Sequence, residues 1–260
     1  MRLALAQFQS HPGDKTRQLE QLRAEAHRLR GQVDLLVTPE LFMTGYRLPT
    51  AEIKALAEPA DGPFAADMAA LARETGIALL YGYPERAEGT VFNAVQVFGA
   101  DGDRVAGYRK LHLPSDDERA AFTLGNRFVT FSYLGFRVAP LICYDVEFPE
   151  MVRAAAIAGA DLVIAPTALR RQWSMIAEKL IPVRALESGL FVAYANWAGA
   201  EADWDYAGLS VIAAPDGQEL ARAGDAPQTV IATLDRNAVA AARARLPYLK
   251  DARMRLSGLL

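Results

Sequence analysis

The only cysteine of the chain, Cys143, follows the apolar run Phe136-Arg-Val-Ala-Pro-Leu-Ile, where a thiol is a candidate nucleophile. Such a thiol needs a base. The usual partner is histidine, but His11, His27 and His112 have no evident relation in sequence to Cys143. A carboxylate can take that role. Glu40 follows Asp34-Leu-Leu-Val-Thr-Pro and is suited to accept the thiol proton and return it to a departing amine, a task that asks for a pKa raised by burial. Lys110, after Val105-Ala-Gly-Tyr-Arg, would hold a developing oxyanion together with the backbone N–H of Tyr144. A buried lysine is costly without carboxylates beside it. Glu40 and a second acid downstream of Lys110, chosen as Glu118, are expected to supply them. The helix start at Pro149-Glu150, soon after Cys143, is expected to lower the thiol pKa through its free N–H groups.

These residues sit just past strand-like runs, where the crevice of an α/β sheet binds ligands. Leu3 to Phe8 reads as a strand, Asp14 to Arg30 as an amphipathic helix with Leu19, Leu22, Ala26 and Leu29 on one face, and Asp34 to Thr38 as a second strand. A helix over 63–74 and strands over 77–83 and 92–98 follow, with Asp101-Gly102 as the hairpin turn into 104–108. The second half predicts strand 136–142, helix 149–158, strand 161–165, helix 174–188 and strand 190–195. Strands 209–213 and 230–234 close the pattern, and the tail after Arg243 reads as helix-poor. Several strands are consecutive and hairpin-linked, so a mixed-sheet sandwich with outer helices fits better than a purely parallel sheet.

Composition bounds the function classes. Of 260 residues, 52% are hydrophobic and 23% charged, as in an ordinary globular chain that folds by burial. A net charge of -3 offers no positive field for nucleic acid. No apolar stretch is long enough for a membrane span or signal peptide, which predicts a cytoplasmic protein. A single cysteine makes no disulfide within the chain, and the histidine spacing matches no zinc pattern, so no metal is expected.

The strings LVTPELFMTGY around Glu40, YRKLHLP around Lys110 and LICYDVEFPE around Cys143 resemble, in order, the three signature blocks of the nitrilase superfamily of carbon–nitrogen hydrolases. Weaker similarity runs from AQFQ through PVRALESGLFVAYAN to DYAGLSVIAAPDG. The resemblance implies an α/β fold, a four-layer αββα sandwich with two mixed sheets covered by helices, as one domain over residues 1–260. It also implies a homodimer or higher homo-oligomer; the tail from about residue 243, which carries Pro247, is by its own sequence a candidate for a subunit contact. It implies no cofactor, and hydrolysis of a non-peptide C–N bond through an acyl-enzyme. Carried over, Glu40 is the general base, Lys110 the oxyanion stabiliser, Cys143 the nucleophile and Glu118 the fourth catalytic residue.

Tyr46, Tyr144, Trp173 and Trp197 fall near these blocks as candidates for an apolar acyl pocket, with Trp173 foremost. His112 reads as a structural residue rather than a second base. Arg170 and Arg171 are candidates for a substrate carboxylate or for surface contacts. The expected activity is that of an amidase on a small linear carboxamide, the cysteine being followed by Tyr144-Asp145 rather than a tryptophan-rich block. Nitriles, ureido acids and ω-amides are the competing substrates, and a non-catalytic scaffold or sensor is the competing class.

Overall fold

The structure, a computed structural model, describes residues 1–253. It opens with strand β1 (Arg2–Gln7), helix α1 (Lys15–Arg28) and strand β2 (Leu35–Val37), the expected β-α-β unit. Helices α2 (Thr50–Leu56) and α3 (Pro63–Thr75) precede the consecutive strands β3 (Ala78–Ala87), β4 (Thr90–Phe98) and β5 (Arg104–Arg109). Helix α4 (Asp116–Ala121) then leads to β6 (Phe131–Tyr133), β7 (Phe136–Pro140), α5 (Pro149–Ile157), β8 (Leu162–Pro166), α6 (Ile181–Ser188) and β9 (Phe191–Ala195). A small hairpin, β10 (Ala200–Glu201) and β11 (Trp204–Asp205), is followed by β12 (Val211–Ala213), β13 (Glu219–Arg222), β14 (Gln228–Thr233), α7 (Asn237–Arg245) and α8 (Tyr248–Asp251).

Two six-stranded mixed sheets result, in the orders β14-β1-β2-β3-β4-β5 and β13-β12-β9-β8-β7-β6. Strands joined through helices pair in parallel, β1 with β2, β2 with β3, β7 with β8 and β8 with β9. Strands joined by tight turns, such as β3–β4 and β4–β5, pair antiparallel because a short loop can only reverse the chain.

Period-two alternation decides which face each residue serves. Leu3, Leu5, Leu35, Val37, Ala78, Leu80, Val95 and Val97 point between the sheets, in one cluster with Val138, Leu162 and Ile164. Ala4, Ala6, Leu36, Leu79 and Tyr81 point the other way, onto Leu22 and Ala26 of α1 and Met68 and Leu71 of α3. Helices α5 and α6 cover the second sheet with Met151, Val152, Ala155, Ile181 and Ala185. The layers are therefore helix, sheet, sheet, helix, as expected.

Two local expectations are corrected. The stretch 174–188 is not one α-helix: Ile176–Leu180 form a π-turn before α6. Pro182 in the first turn of α6 has no N–H to continue an i→i−4 ladder, which accounts for the wider turn. The C-terminal stretch is not helix-poor either. It carries α7 and α8, and Arg243 ties α7 to the body by donating to the carbonyls of Gly189 and Ala160 at 3.0 and 2.7 Å. The subunit contact expected from residue 243 onward extends beyond the described residues.

Candidate active site

Glu40 lies in the turn that leaves β2, and this turn is pressed against β3. A Cβ on Gly82 would stand 2.4 Å from the Leu41 nitrogen, so only glycine fits there. Leu41 adopts a left-handed φ of 51°, and the Met43 N–H donates to the Gly82 carbonyl at 3.0 Å. Trp197, one of the candidates for the pocket, is fully buried, stacks on Phe42, and donates its indole N–H to the Glu40 carbonyl at 2.9 Å. It shapes the turn and does not line the cavity.

The Glu40 side chain is wholly buried. Its Oε1 accepts from Asn93 Nδ2 and from Lys110 Nζ, both at 2.7 Å, while Oε2 has no hydrogen-bond partner. Burial drives the Glu40 carboxyl up, Lys110 and Asn93 draw it down, and the Glu118 charge adds to the rise; the balance leaves it at about 7.

Lys110 follows β5, where its N–H donates to the Asn93 carbonyl at 2.8 Å and its own carbonyl accepts from Gly125 at 2.7 Å. Its ammonium also donates to both oxygens of Glu118, at 3.0 and 2.9 Å. Burial works to lower its pKa, but the Glu118 and Glu40 charges outweigh it and hold the group protonated. Glu118 reaches the site because Ser115 caps α4, accepting from the Glu118 N–H at 3.1 Å. The Tyr46 hydroxyl donates to Glu118 Oε1, and burial beside these acids keeps that phenol neutral.

Cys143 opens a 3-10 turn, Cys143–Glu147, between β7 and α5, in a left-handed conformation with φ 46°. Five residues lie between it and the start of α5 at Pro149. Burial and the Glu40 charge push the thiol well above its ordinary value, against Lys110, the Thr167 hydroxyl and the Ala168 N–H, which pull it down. This corrects the expected lowered pKa: the resting group is a thiol. The Tyr144 N–H, in the first turn of this 3-10 helix, makes no backbone hydrogen bond among the described residues.

Several supporting residues were not singled out along the chain. Thr167 Oγ1 lies 2.9 Å from Cys143 Sγ and 2.9 Å from the Tyr194 hydroxyl, and its one proton can serve only one of these two contacts at a time. Buried Asn196 clamps this segment, accepting from the Leu169 N–H at 2.8 Å and donating to the Leu169 carbonyl at 3.1 Å. Asp145 ties the cysteine turn to the segment after β5: it accepts from Tyr108 Oη at 2.8 Å and the His112 N–H at 3.0 Å, and pairs with His112 Nδ1 at 2.8 Å. His112 is thereby a structural residue, stacked on Phe148.

A cavity of about 480 Å³ opens onto Cys143, bounded by Tyr46, Tyr144, Glu147, Leu169, Trp173 and Trp204 among others. Tyr46 and Tyr144 line it, while Trp173 is 54% exposed at its rim. Trp204, on the β10–β11 hairpin, was not anticipated; a two-residue strand within Glu-Ala-Asp-Trp-Asp-Tyr leaves no periodic signal. The two arginines diverge. Arg170 borders the cavity with its guanidinium 4.7 Å from the Trp204 ring, whereas Arg171 pairs with Asp205 at 2.6 Å on the surface. Among the described residues no group of three or more acids, histidines or cysteines is arranged to hold a metal, and no helix is long and apolar enough to cross a membrane.

The profile of the carbon-nitrogen hydrolase family matches residues 2–244. The chain is similar to a hydrolase from the pqqF 5' region of Pseudomonas protegens, 43% identical, covering 98% of this chain and 90% of that protein. It is 34% identical to an (R)-stereoselective amidase of a Pseudomonas species, covering 99% and 93% of the two chains. A solved amidase of Nesterenkonia, with the acetamide moiety of fluoroacetamide on its active-site cysteine, superposes with a TM-score of 0.84 at 33% identity, covering 97% and 94%. Family, fold and relatives agree: this chain belongs to the carbon-nitrogen hydrolase family and is a thiol hydrolase of carbon–nitrogen bonds.

Proposed function

We propose that this hydrolase is an amidase of small linear carboxamides in which Cys143 is the nucleophile, Glu40 the general base and acid, Lys110 the oxyanion stabiliser and Glu118 the group that holds Lys110. The observation that carries the reading is the free Oε2 of Glu40. One oxygen of that carboxylate is pinned by Asn93 and Lys110, and the other is left to exchange a proton near a buried thiol whose ionisation the Glu40 charge opposes. The proton therefore leaves sulfur only as the S–C bond forms.

Glu40 takes the thiol proton as Sγ adds to the carbonyl carbon, and the carbonyl oxygen becomes an oxyanion facing Lys110 and the Tyr144 N–H. Glu40 then protonates the amide nitrogen, the C–N bond breaks and ammonia leaves. Water enters, gives a proton to Glu40 and adds its oxygen to the thioester. The C–S bond breaks and sulfur regains the proton, so amide and water become acid and ammonia. Tyr46 and Glu118 hold the ammonium of Lys110 against drift, since misplacement of an oxyanion donor is costly in rate.

This reading takes the enzyme to work in the cytoplasm, where a lone nucleophilic thiol stays reduced. It also takes the enzyme to be a homodimer or higher homo-oligomer; the outer faces of α5 and α6 expose Ile157 and Val183. The deciding experiment measures ammonia release from simple carboxamides, ω-amides, ureido acids and nitriles with wild type and Cys143→Ala. Release from carboxamides that vanishes in the variant is the expected result. Release from none of the classes, or release that survives in the variant, would defeat the assignment.

A further inference from the structure

Glu147 has no part in the steps above, yet it stands in the wall of the cavity that holds Cys143. It closes the 3-10 turn that Cys143 opens, so the two are fixed relative to each other by four peptide units. Its backbone carbonyl is taken by Arg184 Nη2 at 2.5 Å, and the Arg184 ion pair is made with Glu187 at 2.8 Å. Among the described residues the Glu147 carboxylate itself accepts no hydrogen bond and joins no ion pair. Burial pushes its carboxyl above the ordinary value, with Lys110 and Arg184 drawing it back. A half-buried acid in a wall made largely of Pro114, Leu169, Met175, Ile176 and aromatic rings is poorly compensated until a partner arrives.

The other charges nearby leave that partner to the substrate. Lys110 is engaged with Glu40 and Glu118. Arg170, the one cation of this cavity's lining, lies over Trp204, and its charge acts on Asp203 of the β10–β11 turn. The wall next to the thiol therefore presents a carboxylate that no cation pairs with among the described residues, Lys110 and Arg184 acting on it only from their own partners.

We infer that Glu147 selects substrates bearing a cationic amino group, so that the natural substrate class is an aminocarboxamide whose ammonium pairs with Glu147 while its carboxamide lies at Cys143. This rests on the amidase reading and narrows it. An ammonium gains from the carboxylate, a neutral chain leaves it unpaired, and a carboxylate-ended ω-amide or ureido acid is repelled.

The test uses three amides of similar length at pH 7.5: β-alaninamide, butyramide and succinamate. Wild type is expected to show kcat/KM at least tenfold higher for β-alaninamide than for butyramide, with succinamate lowest. In Glu147→Gln the ratio of β-alaninamide to butyramide should fall tenfold or more, and Glu147→Arg should favour succinamate. Should the variants not fold, inhibition of wild type decides: propylammonium is expected to compete with butyramide and propionate not to. Wild type active on butyramide but no better on β-alaninamide, a ratio unchanged in Glu147→Gln, or inhibition by propionate in place of propylammonium would overturn the inference alone. A wild type inactive on all three amides would instead overturn the amidase reading.

Discussion

At the scale of single residues, the proposed chemistry turns on two ionisations that burial has moved in the same direction. Glu40 is pushed up to about 7 and Cys143 is pushed up from its ordinary range, so the resting pair holds its proton on sulfur once Glu40 is ionised. The acid limb follows. A base must be deprotonated to accept a proton, so kcat/KM is expected to fall as pH drops through about 7, far above the limb an exposed glutamate would give. A pH–rate profile checks this; a limb near 4 to 5 would show that Glu40 is not the titrating base. Glu40→Gln should cut kcat by a factor of about 100 or more and abolish that limb. The same balance predicts slow alkylation of Cys143 near neutral pH.

At the scale of elements, each reactive side chain is held by a turn with a specific steric demand. The Glu40 turn needs the bare backbone of Gly82, since the nearest atom to an added Cβ would be the Leu41 nitrogen at 2.4 Å, and backbone cannot swing aside as a side-chain end can. Gly82→Ala is therefore expected to lower Tm by several degrees and kcat by at least tenfold, because the turn that moves is the one carrying Glu40, the proposed base. Calorimetry and steady-state kinetics on the same preparation test it. A stable variant with full activity would mean the turn tolerates displacement. The Cys143 turn is held differently, by Asp145, which binds the Ile142 N–H at 3.1 Å as well as Tyr108 and His112.

At the scale of the whole molecule, the site exists because two sheets keep a fixed relation. Glu40 and Lys110 leave the first sheet, while Cys143 and Thr167 leave the second. Buried Gln7 of β1 is one of the ties between them. It accepts from the Ser210 N–H and hydroxyl at 2.9 and 2.8 Å, and donates to the Gly224 and Ala226 carbonyls, both at 2.8 Å. Gln7→Ala removes an acceptor and a donor from buried groups, and should cost about 2–4 kcal/mol of stability, read by urea unfolding. A loss below about 0.5 kcal/mol would show that water replaces the amide without penalty.

Much of this arrangement was legible along the chain. The alternation of Leu3, Ala4, Leu5 and Ala6, and the hairpin turn at Asp101-Gly102, are local patterns whose periods are set by backbone geometry, so they specify strands and faces without long-range information. The three blocks around Glu40, Lys110 and Cys143 likewise identified the family and its fold. The sequence by itself therefore determined most of the strands of the two sheets, the sandwich and the chemical class, though not the short elements such as α2, α4, β6 and β13. Only the tertiary structure decided the rest: Asn93, Thr167 and Asn196 are ordinary polar residues until folding buries them against Glu40, Cys143 and Leu169. Trp197 became a backbone support and Trp204 a pocket wall for the same reason. The direction of each pKa shift was decided there too, because desolvation and charge proximity depend on residues from two sheets meeting in space, which no spacing along one chain encodes.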